Sequence, residues 1–500
     1  MVAISVDAGT SLVKSVAFAD DGTELFVARR AVPIARPQPG WSEQDMHAVW
    51  QAVEETIREV VEHVGHDVRF LSLTGQGDGC WLIDNDGETV GPAILWNDSR
   101  ATAFVEQWYQ DGTLEQAFRL NGNVVFPGAQ SAILRWLYEH DPQRIKRARM
   151  AFYCKDWLAL KLTGVAGTDE SDASFPFFAI RARAYAPELL HLYGVEWAER
   201  LLAPVLPGTK PVGVLSSTAA QSLGLRPGLP VVVAPYDIAA TSLGLGAVKP
   251  GQALSILGTT LCTEVVTDTI DTSGPPAGLY VCAGLPDRWI RGFASMCGTE
   301  AVNWLCQFLG DVEPTALSAM AATIEPGADG VVFLPYLSPA GERAPFLNAH
   351  ARASLSGFSL EQTREHVARA VLEGLSFVIR ECLDASAVQP TELHVCGGGA
   401  ASDLWCQMIA DITRIPVLVS NSAEVGAQGA MFVGLVATGA EQSIESVVLK
   451  YAHTRTSYLP NAALTERYEE LYRHFLVVRD AASELWPRQA EMRRYLNASA

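Results

Sequence analysis

Ser255-Ile256-Leu257-Gly258-Thr259-Thr260-Leu261-Cys262 decides how the chain is read, because the same pattern has already occurred at Ile4-Ser5-Val6-Asp7-Ala8-Gly9-Thr10-Ser11. In each copy an apolar run meets Gly-Thr and a further hydroxyl, and a second apolar run follows, the pattern of a β-hairpin with a polar tip. Such a tip receives phosphate readily: Gly lets the backbone approach an anion, and N–H and O–H donors converge on its oxygens. Only the first copy adds an acid, Asp7, and a cation, Lys14. One copy alone reads as an ordinary tight turn. Two copies about 250 residues apart divide the chain into halves of domain size and point to a ligand site between two similar domains.

The rest of the composition narrows the function. Five hundred residues with 49% hydrophobic and 19% charged content are enough for two large cores. A formal charge of −19, with 37 scattered Lys and Arg, argues against a nucleic-acid or anionic-membrane partner. A phosphate ligand then needs Mg²⁺ and backbone donors. Nine dispersed cysteines without a Cys-x-x-Cys pair suggest buried free thiols rather than zinc or disulfides. The chain starts on a strand with no signal-peptide pattern, and no stretch reaches the roughly 18 apolar residues of a membrane span, so a cytoplasmic enzyme is expected.

In order, strands over 2–6, 14–19 and 24–28 read as an antiparallel meander. Ser42 and Asp45 resemble a capping box for a helix whose Val49, Val53, Ile57, Val60, Val61 and Val64 share one face. A buried strand over 68–73 delivers Thr74-Gly75-Gln76-Gly77-Asp78-Gly79 at its carboxyl end, where open α/β sheets place ligands. Asp98 and Asp156 read as helix caps or first-turn acids, and Asp169-Glu170-Ser171-Asp172 as a solvated loop. A short strand over 230–234 ends at Asp237, which also reads as a cap for the helix from 239. Val248-Lys249-Pro250-Gly251 reads as the linker between domains over 1–247 and 248–500. In the second domain Gly298 opens a helix, and Gly397-Gly398-Gly399 joins a strand to a helix over 402–413, a nucleotide-compatible corner that is not a P-loop. The segment 424–430 opens a small-residue helix, and the tail over 464–495 is helical and packs on the second domain.

Taken in order, these motifs resemble the FGGY carbohydrate kinases, within the sugar kinase, heat-shock and actin superfamily. Asp7-Ala8-Gly9-Thr10-Ser11 with Lys14 resembles the first phosphate motif, Gly258-Thr259-Thr260 the second, and 397–415 the adenosine motif. Tyr153-Cys154-Lys155-Asp156-Trp157-Leu158, and Ser354-Leu355-Ser356-Gly357-Phe358 with 366–373, are similar to the two family signatures; Pro335-Tyr336-Leu337 with Gly341-Glu342-Arg343-Ala344-Pro345 is a further similar block. The resemblance implies an α/β fold of two ribonuclease H-like domains with a cleft between them, and ATP-dependent phosphorylation of a small open-chain sugar or polyol. It implies Asp237 as general base and Gln76, Gly77 and Asp78 as sugar contacts. It implies Gly9, Thr10, Ser11, Lys14, Gly258, Thr259, Gly298, Gly398, Gly399 and Asp403 around ATP. Asp7 and Asp237 would hold Mg²⁺, with Asp7 acting through water.

Two departures bear on the substrate. Ile238 follows the base where relatives carry Asn or Gln, and Gly77-Asp78 stands where xylulokinases carry Met-His and glycerol kinases Arg-Glu. In these positions the chain resembles the L-xylulose kinase and erythritol kinase branches, so a ketopentose or a tetritol is expected. The expected partners are that sugar and ATP, with a homodimer allowed. Two other readings stay open at this point: an actin-like or chaperone-like ATPase without a sugar, and a non-catalytic sugar-binding regulator.

Overall fold

A computed structural model describes residues 2–498. They form two compact units: 2–248 with 268–290 and 422–453, and 249–267 with 291–421 and 454–498. The first passage between units falls at Val248 and Lys249, where the turn-rich stretch places a linker. By contacts the first unit also takes in 268–290 and 422–453, where the chain returns to it.

In the first unit β1 (Val2–Ala8), β2 (Leu12–Phe18) and β3 (Glu24–Ala31) form the expected antiparallel meander. Then β4 (Val68–Gly75) joins parallel to β1, and β5 (Pro230–Val233) parallel to β4. Alternation along each strand supplies two buried faces. Ile4, Val6, Val13 and Ala17 share one core with Val49, Val53, Ile57 and Val60 of α1 (Met46–Val64). Ala3, Val16 and Phe18 share another with α2 (Asp237–Leu245) and α3 (Val425–Ala437). The cap of α1 is Asp45, whose Oδ1 accepts from His47 N; the backbone N–H of Ser42 donates instead to Asp98 Oδ2 at 2.7 Å, so no Ser42 capping box forms.

The small residues of α3 explain why 422–453 returns to the first unit. A Cβ on Gly429 would lie 1.9 Å from the Ala240 carbonyl oxygen, and one on Gly244 would lie 1.9 Å from that of Val425. Helices α2 and α3 therefore cross with their backbones in contact, and only glycine fits at the crossing. The Gln428 amide closes it by donating to the Gly244 carbonyl at 3.1 Å.

The second unit repeats the plan. Strands β6 (Gln252–Leu257) and β7 (Leu261–Thr267) form a hairpin, and β6 runs parallel to Glu392–Cys396, as β1 does to β4. Val417–Ser420 continues the sheet, with Thr454–Tyr458 antiparallel beyond it. The repeat in sequence is thus a repeat in fold. The long helix Arg364–Ala385 is covered by the tail helix Thr465–Ser483, where Arg369 donates to Tyr468 Oη at 2.7 Å and that hydroxyl donates to Glu373. Among the described residues no helix is long and apolar enough to cross a membrane. All nine cysteines are free, and only Cys262 and Cys396 are partly exposed.

Candidate active site

Three parallel strands of the first unit end together, and that edge gathers the candidates. Asp7 lies opposite both Lys14 and Thr74 in the ladder, and Ala8 lies opposite Gly75. The Gln76 N–H then donates to the Ala8 carbonyl at 2.9 Å, and Thr74 Oγ1 donates to the Pro235 carbonyl at 2.7 Å. These bonds bring the hairpin tip Gly9, Thr10 and Ser11, the Gln76–Gly79 loop and the start of α2 to one place.

Asp237 is the first residue of α2, not its cap, which is Tyr236. Its Oδ1 accepts from the Ile238 N–H at 2.8 Å. Burial, then the negative charge of Asp7, push its carboxyl up to about 7, against the pull of that hydrogen bond. A carboxylate poised there suits proton transfer near neutral pH.

The Gln76 amide donates to Gln44 Oε1 at 2.9 Å, and the Gln44 amide donates to the Thr10 carbonyl at 2.8 Å. The Gln76–Gly79 loop and the Gly9–Ser11 hairpin tip are thereby tied through Gln44, a fully buried residue the sequence did not single out. Trp96 Nε1 donates to Thr10 Oγ1 at 2.9 Å. The loop turns through left-handed backbone at Asp78 (φ 56°) and Gly79 (φ 74°). Gly77 has no room for a side chain, since its Cβ would lie 2.4 Å from Tyr236 Cδ2.

Lys14 is no stray surface charge. Its ammonium donates to Glu424 Oε2 at 2.8 Å and lies 3.7 Å from Asp7 Oδ2. Burial works to lower its pKa, but the two carboxylates outweigh burial and raise it. Asp7 is raised by burial and by the Glu424 charge, against Lys14, and its Oδ1 is buried without a hydrogen-bond partner. Surplus carboxylate and an orphaned acceptor fit a divalent cation. Among the described residues no group of three or more His, Cys, Asp or Glu is arranged to hold a metal directly. A buried carboxylate with one orphaned oxygen fits Mg²⁺, an ion that usually keeps several of its waters.

Three residues of the acidic run, Asp169, Ser171 and Asp172, are buried rather than solvated, and Glu170 alone is partly exposed. Asp169 and Asp172 surround the fully buried Lys155, Asp172 Oδ2 at 2.6 Å from its ammonium, and Asp156 Oδ1 lies 3.6 Å away. Burial, and the mutual repulsion of three acids around one cation, raise Asp172 well above the ordinary carboxylate range. Asp156 also accepts from the Tyr153 N–H at its helix start, the capping part expected of it. Ser171 Oγ accepts from the Tyr236 N–H at 2.9 Å, so the cluster buttresses the segment before Asp237. Asp98 caps no helix. It binds Arg100 through both oxygens, while the guanidinium lies over Trp41, 3.8 Å from the ring centre.

In the second unit Gly298 packs its backbone on the tip of the β6–β7 hairpin. A Cβ there would lie 2.5 Å from the Gly258 carbonyl oxygen, which accepts from Thr299 N at 2.8 Å. Thr259 at the tip is exposed. A cavity of about 560 Å³ opens beside it, lined by Thr299, Asn303, Thr315, Ser318, Gly398, Gly399, Asp403 and Trp405. Nothing lies within 4 Å of a Cβ built on Gly398, and Asp403 Oδ1 accepts from Tyr458 Oη at 2.6 Å. Thr299 belongs to both features, so the tip of the β6–β7 hairpin adjoins the cavity.

Comparison with known proteins agrees with this arrangement. Residues 2–244 match the N-terminal domain, and 253–438 the C-terminal domain, of the FGGY family of carbohydrate kinases. An erythritol kinase of Brucella abortus (strain 2308) is 30% identical, over 98% of both chains. A xylulose kinase of Escherichia coli (strain K12) is 30% identical, over 93% of this chain and 96% of its own. Among solved structures, a ligand-bound xylulose kinase from Lactobacillus acidophilus superposes with TM-score 0.93 at 23% identity, over 97% of this chain and 99% of its own. A xylulose kinase from Rhodospirillum rubrum gives 0.89 at 26%, over 97% and 100%.

Proposed function

We propose, for a chain that belongs to the FGGY family of carbohydrate kinases and uses ATP to phosphorylate a hydroxyl of a small sugar or polyol, the following division of labour. Asp237 accepts the proton of the substrate hydroxyl as its oxygen attacks the γ-phosphorus. The observation that carries this assignment is one carboxylate, raised to about 7, at the strand edge beside the first phosphate hairpin. Gln76, Gly77 and Asp78 receive the sugar. Thr10, Ser11 and Lys14 with the Gly9 backbone stabilise charge on the transferred phosphoryl group, which is most of what such a transfer asks of a protein.

Gly258, Thr259 and Gly298 take the nucleotide phosphates, and the cavity at Gly398, Gly399 and Asp403 takes the adenine. Mg²⁺, held near Asp7 and Asp237 through water, neutralises phosphate charge when bound. The substrate is an open-chain ketopentose or tetritol, a choice supported by the erythritol and xylulose kinases among the relatives and by the small residue at 77 beside an acid at 78. The relatives give no support to a sugar-free ATPase or a non-catalytic regulator. A cytoplasmic homodimer without nucleic-acid or membrane partners completes the proposal; the charge of −19 supports its last part.

The test is an ADP-release screen over C3 to C6 polyols, ketoses and sugar acids. A tetritol or ketopentose should give the highest kcat/KM. Turnover by sugar acids alone would overturn the substrate, and ADP release indifferent to any sugar would overturn the reaction.

A further inference from the structure

The first phosphate hairpin carries a row of charges that the residues named so far do not explain. Asp7, Lys14 and Arg29 are direct cross-strand partners on β1, β2 and β3, so their side chains emerge side by side on one face. Two like charges directly opposite each other repel. Glu424, just before α3, lies over both: its Oε2 accepts from Lys14 at 2.8 Å and its Oε1 from Arg29 Nη2 at 2.5 Å. The Glu424 side chain is only 6% exposed, against 27% for Lys14 and 48% for Arg29. It is the buried end of the row.

Its own backbone is held in turn. Glu24 Oε1, on β3, accepts from Ser422 Oγ at 2.5 Å and from the Glu424 N–H at 3.3 Å. One residue into α3, a Cβ on Gly426 would lie 3.4 Å from Asp7 Oδ2, so the helix start sits against the acid of the row as well. Glu424 makes no side-chain bond to cap α3, which leaves both its oxygens to the two cations.

We propose that Glu424 is a positioning residue of the transfer reaction, holding the Lys14 ammonium at the hairpin while Arg29 holds Glu424. The inference rests on the assignment of Lys14 to the transferred phosphoryl group. A lysine is a point charge on a flexible stem with three N–H donors. Glu424 takes one donor and sets the direction of the stem, so the others remain for phosphate. With Glu424 neutral, Lys14 and Arg29 repel and Lys14 moves onto Asp7, its remaining carboxylate 3.7 Å away. Both groups are then withdrawn from the phosphate together.

The test is a double-mutant cycle in steady-state kinetics. Lys14→Ala should lower kcat about a hundredfold, the loss typical of one preorganised donor to developing charge. Glu424→Gln should lower kcat about tenfold with KM for the sugar unchanged, because the sugar loop is untouched. In the Lys14→Ala background, Glu424→Gln should cost nothing further, since its effect passes through the missing ammonium. Independent, multiplying losses would assign Glu424 to folding alone and overturn the proposal. If Glu424→Gln fails to fold, Arg29→Ala at the exposed end of the row replaces it in the same cycle, with the same two outcomes. Full kcat in Lys14→Ala would instead overturn the phosphate assignment of Lys14, which separates that failure from this one.

Discussion

Gly77 and Tyr236 share one space: a Cβ at position 77 would sit 2.4 Å from Cδ2 of the tyrosine ring, and 2.8 Å from Cε2. The Tyr236 backbone is pinned by Ser171 and its carbonyl starts α2, so the ring can leave this space only by turning about its own side-chain torsions. The absent side chain in the Gln76–Gly79 loop and the aromatic wall beside Asp237 are therefore one adaptation. A bulky residue at 77 needs a smaller residue at 236.

Gly77→Ala should displace the tyrosine ring from the wall beside Asp237. Overpacking of this kind costs roughly 1–3 kcal/mol. The expected result is a lower melting temperature with kcat/KM for the sugar reduced about tenfold or more. Adding Tyr236→Leu should recover melting temperature in the double variant. Melting unchanged by Gly77→Ala would show that the ring relaxes freely, and would remove the pair as a constraint on the substrate.

Lys155 should be far less tolerant than a helix lysine usually is. Its removal leaves Asp156, Asp169 and Asp172 buried without a cation. Breaking a buried ion pair by deleting one partner costs roughly 3–5 kcal/mol, because the surviving charge stays desolvated. Lys155→Met should therefore express poorly or melt well below the parent in thermal denaturation. A Lys155→Met/Asp172→Leu double variant should regain part of the loss; a melt like the parent's in the single variant would contradict the reading.

How far such features are legible in sequence depends on whether their determinants are local. The two hairpins were legible because strand, Gly-Thr tip and strand follow one another directly in sequence, and Asp237 stood out as an acid shortly after a strand. The Lys14–Glu424 pair was not: its partners are 410 residues apart, and Glu424 alone looks like any acid before a helix. The run 169–172 misleads for a related reason. Its composition is that of a solvated loop, and only Lys155, fourteen residues before Asp169, makes burial tolerable. The return of 422–453 to the first unit likewise hangs on a glycine crossing between α2 and α3, visible only when both helices are in place. Ser42 and Asp45 both satisfied a local capping pattern, and the distant Asp98 decided between them by taking the Ser42 N–H.

Glu342 offers a pH prediction outside the site. Its Oε1 accepts from the backbone N–H groups of Met296, Arg343 and Ala344, yet burial outweighs these bonds and pushes its carboxyl up to about 7. A folded pKa above the unfolded value of about 4.5 means that the folded state holds the proton more tightly. The stability this contributes is fully present below pH 4.5 and is lost as pH rises through about 7. A shift of this size corresponds to roughly 3–4 kcal/mol. Glu342→Gln keeps the accepting oxygen and removes the titration, so melting temperature between pH 5 and 8 should vary less steeply in the variant. Identical slopes would show that Glu342 does not titrate in this range.

Asp237→Asn separates catalysis from architecture. Asn keeps the oxygen that accepts from the Ile238 N–H, and it removes a charge whose burial, together with the field of Asp7, opposes ionisation. The fold should therefore melt at or slightly above the parent's temperature at pH 8, where the parent carries that charge and the variant does not. A general base must be deprotonated to act, so parent kcat should fall as pH drops through about 7, or lower where bound Mg²⁺ offsets the Asp7 charge. The variant should lose roughly 10²- to 10⁴-fold in kcat, still bind ATP, and show no such acidic limb. Unchanged kcat would move the proton acceptor elsewhere, with Asp78 in the adjoining loop as the next carboxylate to test. A large loss that kept the acidic limb would instead leave Asp237 as a group that orients the hydroxyl, and give the titration to another residue.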